Sequence, residues 1–364
     1  MAEQEKRVNR IPMLDNICAQ PISHRGVLAL QQGSQRATLM AAAELIREAK
    51  GQVIFSGMGA SLFATTAAVS RLVAQGCAVQ AVESSELLHY GSACLHAGDV
   101  GIVVSRSGGS IEPVRLAEKM RQAEMNVIAV TNVPGSSLEK IADITLNIGA
   151  LPDNLIAVQT YTGTVLTLLL LAEEVLSRSA KLADTCGAAL PVLASYIEEC
   201  VQASEGWHDF LVGAPLYLLG RGPALGSVYE GALLMHETAK TAAVSMSSGQ
   251  FRHGPAEILS PEFRAVVFGS PTPTQELDRT LANDLFSAGA QVRWIGPGSS
   301  LAPSPAPWPA IAPVLAPLFE IVPVQAAAYR LALARGITPG DFRFVSEVTA
   351  AESGFLTSVT TAHT

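Results

Sequence analysis

Charged side chains are scarce in this chain: they make up 15% of 364 residues, and their balance is acidic, with a formal net charge of −8. No Lys/Arg-rich segment or basic tail relieves that balance, which excludes the broad positive field that captures nucleic acid. An anionic partner must therefore be met by a local site. Cysteine is also sparse. Cys18, Cys77, Cys94, Cys186 and Cys200 are odd in number, widely spaced and form no CxxC pair. That pattern speaks against a disulfide framework or a zinc site and fits reduced, packed thiols in a cytosol. No His/Asp/Glu spacing suggests a metal, and no cofactor is expected. The longest apolar run, Val165 to Ala172, is interrupted by Thr167 and followed by Glu173 and Glu174, well short of a membrane span. The polar stretch from Met1 to Arg10 reads as neither signal peptide nor anchor, so the expected location is cytoplasmic.

Hydrophobic residues, by contrast, make up 49% of the chain. At this length two domains can each bury a core, and the apolar surplus points to a subunit interface, most simply that of a homodimer. Along the chain, strand-like and helix-like segments alternate. Val53-Ile54-Phe55 runs into the glycine turn Gly57-Met58-Gly59-Ala60-Ser61, and helical periodicity follows from Leu62 to Ala74. Strands are expected at 78–82, 101–104, 127–130 and 144–148, with a helix over 111–124. This alternation predicts an α/β fold with a parallel sheet covered by helices. The pattern returns with a strand at 216–219 ending in Gly220-Arg221-Gly222, a helix over 227–238 and strands at 264–268 and 292–295. Registering Gly57 on Gly220 brings Val103-Val104-Ser105 near Val266-Val267-Phe268, which reads as an internal duplication. The segments 154–178 and 188–205 are expected to be largely helical, 303–313 a proline-rich loop and 319–335 a helix. The expected organisation is an N-terminal segment at 1–40, a first domain at 41–185, a second at 186–335 and a tail at 336–364.

The most informative segment is Val103-Val104-Ser105-Arg106-Ser107-Gly108-Gly109-Ser110-Ile111-Glu112-Pro113, where a strand stops at a hydroxyl-rich glycine turn and a helix begins. Ser110 suits an N-cap, and Pro113 is tolerated in the first turn. Backbone N–H groups, the helix dipole and glycines that admit close approach make such a turn an anion site, with Ser105, Ser107 and Ser110 as hydroxyl donors. The same residues also suit a turn that merely connects strand and helix. The corresponding turn in the second half, from Phe268 to Thr274, contains Pro271 and Pro273, which lack N–H groups, and should hold phosphate poorly.

These motifs resemble a known family. Ser105-Arg106-Ser107-Gly108-Gly109-Ser110, Gly59-Ala60-Ser61 and the stretch Thr131 to Leu138 resemble the first sugar-isomerase (SIS) domain in the isomerase module of glucosamine-6-phosphate synthase. Leu219-Gly220-Arg221-Gly222, the stretch Glu230 to Glu237 and Arg252-His253-Gly254-Pro255 are similar to its second domain, and the likeness covers nearly the whole chain, including Gln20-Pro21 near the start and Ile321 to Gln325 near the end. The resemblance implies two flavodoxin-like SIS domains, each a parallel sheet flanked by helices. It also implies a phosphate site at Ser61, Ser105, Arg106, Ser107, Gly108 and Ser110, with Gly59, Ala157 and Ser346 near the sugar.

Moving a proton between carbons 1 and 2 of an opened sugar requires a positioned carboxylate and a proton shuttle. Glu237, late in an apolar helix, and His253, before the turn at Gly254-Pro255, are the candidates. On residues alone, an ordinary helix carboxylate and a structural histidine compete with that reading. The resemblance makes Glu237 the carbon-acid base and His253 the promoter of ring opening, the latter reaching the site from a neighbouring subunit. Two positions depart from the family. Ser346 stands where the isomerase module has a substrate-polarising lysine, and Arg106 replaces an amide residue between the phosphate serines. The chain starts Met1-Ala2-Glu3 without the terminal cysteine of a glutamine-hydrolysing domain, so ammonia transfer from glutamine is not expected. The resemblance therefore implies an isomerase or deaminase acting on an amino-sugar 6-phosphate. A fructosamine-6-phosphate deglycase and a non-catalytic sugar-phosphate sensor are the alternatives.

Overall fold

A computed structural model describes residues 13–153, 155–212, 216–344 and 348–352. The described residues open with two helices, α1 (Met13–Gln32) and α2 (Arg36–Glu48), to which sequence periodicity assigns no element. A five-stranded sheet then builds up from β1 (Val53–Gly57), β2 (Val79–Glu83), β3 (Val100–Val104), β4 (Asn126–Thr131) and β5 (Ile144–Asn147), with α3 (Thr65–Val73) and α4 (Ile111–Gln122) among its crossovers. All four strand pairings are parallel, in the order β2-β1-β3-β4-β5. This is the flavodoxin order, whose topological switch lies between β1 and β3. The central strands β1 and β3 are buried along their whole length, because helices cover both faces. On one face, Ile54, Val103, Val127 and Ala129 pack against Leu116, Ala117 and Met120 of α4.

Two long helices follow, α5 (Gln159–Val175) and α6 (Ser179–Ala203), before a second sheet of β6 (Leu216–Gly220), β7 (Ala243–Ser247), β8 (Arg264–Phe268) and β9 (Gln291–Ile295). Helices α7 (Leu225–Ala239), α8 (Gln275–Ser287) and α9 (Val322–Ala334) accompany it. Its strands are parallel in the order β7-β6-β8-β9. Among the described residues the second sheet therefore repeats the first up to the fourth strand and has no fifth. Where a fifth would come, the chain runs through the prolines of 303–313, which cannot donate to a ladder. Strand β7 went unread in the sequence because Ala243-Val244-Ser245-Met246-Ser247 carries only one β-branched residue and sits half-exposed at a sheet edge.

The described residues form two compact units. One comprises 25–150, 163–184 and the described part of 342–364, and holds the five-stranded sheet. The other comprises the described part of 1–24, 151–162 and 185–341, and holds the four-stranded sheet. In the second unit Gln20, fully buried, donates to the Gln325 side chain at 2.9 Å and accepts from Thr162 Oγ1 at 2.9 Å. These bonds satisfy an amide that would otherwise be costly to bury. The stretch Pro313–Ala334 is long and apolar enough to cross a membrane, but 83% of its 18-residue apolar window is buried, as in a core helix.

Candidate active site

In the five-stranded unit the hydroxyl-rich turn is built as a tight cradle. Ser105, at the end of β3, is buried and donates its N–H to the Val130 carbonyl at 3.0 Å. The Arg106 carbonyl accepts from Asn132 N at 2.9 Å, and the Gly108 carbonyl accepts from Leu138 N at 2.9 Å. Gly108 adopts φ +60°, and a Cβ there would collide with the Ser136 side chain and lie 2.9 Å from Thr131 Oγ1. Only glycine fits that position. Ser107 Oγ accepts from Gly109 N at 3.2 Å, which leaves the hydroxyl hydrogen for donation. Ser110 does precede α4 with an extended backbone, but its hydroxyl makes no capping bond. Across the switch point, Gly59 adopts φ +49° and starts the single turn Ala60–Phe63 that carries Ser61. All of these residues project from the carboxyl ends of β1 and β3, the edge at which open parallel sheets bind ligands.

What meets the first turn of α4 was not legible in the sequence. The Thr349 carbonyl accepts from Ile111 N at 3.0 Å, so one of the N–H groups that an anion could use is already bonded. Glu352 anchors the same segment through Arg115 at 2.9 Å and lies 3.2 Å from His89 Nε2. Ser346 lies outside the described residues.

The four-stranded unit holds the residues expected at the reacting end. Glu237 lies half-buried in the last turn of α7, and its carbonyl accepts from the Lys240 ammonium. Lys240 closes the helix with φ +51°. His253 is exposed, just after the single turn Ser248–Phe251, with its N–H on the Gln250 carbonyl at 3.0 Å and Gly254 at φ +125° next to it. Ala157 is half-buried just before α5. That loop is held by Asp153, whose carboxylate accepts from Val158 N (2.9 Å), Gln159 N (3.2 Å) and both Thr160 N (2.8 Å) and Thr160 Oγ1 (2.5 Å).

Residues 45–182 match the SIS domain family. The chain carries an SIS domain. It is similar to the isomerizing glutamine–fructose-6-phosphate aminotransferase of Pyrobaculum aerophilum, 28% identical over 272 residues, covering 70% of this chain and 44% of that protein. The chain thus spans about half the length of the curated relatives it matches. In structure it resembles the C-terminal domain of glucosamine-fructose-6-phosphate aminotransferase from Francisella tularensis, with a TM-score of 0.77 at 18% identity over 89% of this chain and 96% of that one. It also resembles glucosamine-6-phosphate deaminase from Thermotoga maritima, with a TM-score of 0.67 at 17% identity over 90% and 99%. Both likenesses extend past the SIS domain into the four-stranded unit, so the α/β fold with two parallel sheets is the fold of these two structures.

The matched SIS domain contains every expected phosphate residue, whereas Glu237 and His253 lie beyond it, in the four-stranded unit. Sequence reasoning overlooked three of the buried acids in that unit that bear on the site. Glu230, two turns before Glu237 on α7, is fully buried, and its Oε2 has no partner among the described residues. Burial pushes its pKa well above the usual carboxylate range, with Glu237 and Asp153 adding to the rise. Asp153 is likewise raised by burial, against the pull of its hydrogen bonds. Glu320 is the third, raised to about 7 by burial although two serine hydroxyls oppose the rise. The nearest available signal was the spacing of Glu230 and Glu237, seven residues apart and so on one helix face.

Proposed function

We propose that the chain is an enzyme that binds a sugar phosphate and moves a proton between C1 and C2, as an isomerase or deaminase of an amino-sugar 6-phosphate. The observation that carries this reading is the cradle at Ser105 to Ser110, where Gly108 is held at φ +60° and serine hydroxyls edge the start of α4. Ser61, Ser105, Ser107 and Ser110 donate to the phosphate, Arg106 adds a cation, and Gly59 and Ala157 lie toward the sugar. Glu237 acts as the base and His253 promotes ring opening. Glu230, whose pKa burial raises well above the usual carboxylate range, shares helix α7 with Glu237. The working unit is a cytoplasmic homodimer that needs no cofactor. Incubation with hexose, hexosamine and fructosamine 6-phosphates, following ammonia, amine and ketose release, tests the reading. Ketose or ammonia release supports it, and inertness toward the whole panel contradicts it.

Release of an amine and glucose 6-phosphate from fructosamine 6-phosphates is the second reading. It is favoured by Ser346, which puts a hydroxyl where the resembling isomerase module has its lysine.

A further inference from the structure

Two serine hydroxyls converge on one carboxylate in the interior of the four-stranded unit. Ser227, in the first turn of α7, donates to Glu320 Oε1 at 2.8 Å, and Ser270, in the turn after β8, donates to Glu320 Oε2. Glu320 ends the single helical turn Ala316–Phe319 and is fully buried, as are both serines. The Tyr161 phenol, buried in the first turn of α5, lies beside Ser227 and feels its hydroxyl. One carboxylate thus ties the head of α7 to the turn after β8, with Tyr161 at the head of α5 set beside Ser227. An apolar side chain would fill the same volume without the cost of desolvating a carboxylate. Architecture alone gives no reason for an acid here.

The segments it joins are those that carry the reacting end. Glu237 lies ten residues beyond Ser227 on the same helix (237 − 227), and Ala157 lies just before α5. We propose that Glu320 is a positioning residue, clasping the heads of α7 and α5 so that Glu237 and the Ala157 segment keep a fixed relation. The proposal rests on the reading of Glu237 as the base.

Glu320→Ala and Glu320→Gln test it, with hydrogen exchange of α7 and of residues 155–162 measured beside turnover. Gln can still accept from one serine and donate to the other, so it should keep both exchange protection and kcat near wild type. In folded Glu320→Ala, exchange in the two segments should speed up about tenfold or more. Its kcat should fall about tenfold or more with KM little changed, since the phosphate cradle is untouched. Unchanged exchange in folded Glu320→Ala would overturn the clasp, and faster exchange with normal kcat would overturn its link to the reaction. Should Glu320→Ala not fold, Ser227→Ala and Ser270→Ala each release one arm and are read the same way. Glu237→Gln is the control. If that variant turns over normally, the reading of Glu237 falls, while the exchange data still decide whether Glu320 holds the two helices.

Discussion

At the scale of single residues, the account turns on where hydroxyls and carboxylates are held. The double variant Ser107→Ala, Ser110→Ala should fold normally and bind sugar phosphate more weakly, by about 1–3 kcal/mol for each hydroxyl that donates to a phosphate oxygen. Unchanged affinity by calorimetry would remove this turn from the site. Gly108→Ala should be worse than either serine change, because the new methyl strikes Ser136 and φ +60° strains any L residue. Much of this was legible in the sequence. A strand ending in Ser105-Arg106-Ser107-Gly108-Gly109-Ser110 constrains the backbone so tightly that local chemistry dictates it. Glu320 was not legible, because its partners Ser227 and Ser270 are 93 and 50 residues away, and no local pattern announces such a meeting.

Elements show the same contrast. The buried strands β1, β3, β4, β6 and β8 were readable from their apolar runs, and α4 and α7 from periodicity that begins at a glycine turn. The half-exposed edge strand β7 and the missing fifth strand of the second sheet depend on sheet position, which periodicity does not encode. Two predictions belong here. Asp153→Ala removes the acceptor for three backbone N–H groups at the approach to α5 and should cost on the order of 2 kcal/mol or more in stability, measurable as a lower denaturant midpoint. Glu320 couples the head of α7 to pH. Its folded pKa of about 7 lies above the unfolded value of 4.5, so the folded state holds the proton more tightly. Its contribution is therefore most favourable below pH 4.5 and declines as pH rises through 7, by on the order of 3 kcal/mol. Glu320→Gln should flatten this part of the stability profile, and a profile identical to wild type between pH 5 and 8 would contradict the assignment.

For the whole molecule, the acidic net charge makes a local site necessary for an anionic substrate, and the apolar composition fits a homodimer. His253, exposed beside a glycine turn, is suited to reach a partner subunit. If it does, Glu237→Gln and His253→Ala should each be nearly inactive, yet recover to about a quarter of wild type after subunit exchange. About half the dimers are then mixed, and each of these carries one intact site. No recovery, with exchange confirmed by mass spectrometry, would return His253 to its own chain. The claim beneath all of this is proton transfer at C2, and the most direct measurement follows the C2 hydrogen of sugar 6-phosphates in D2O by NMR. The account predicts solvent exchange at C2 with the wild-type protein for at least one hexose or hexosamine 6-phosphate, and its collapse in Glu237→Gln with sugar-phosphate affinity retained. Exchange that persists undiminished in Glu237→Gln, or a wild-type protein that exchanges no member of the series, would contradict it.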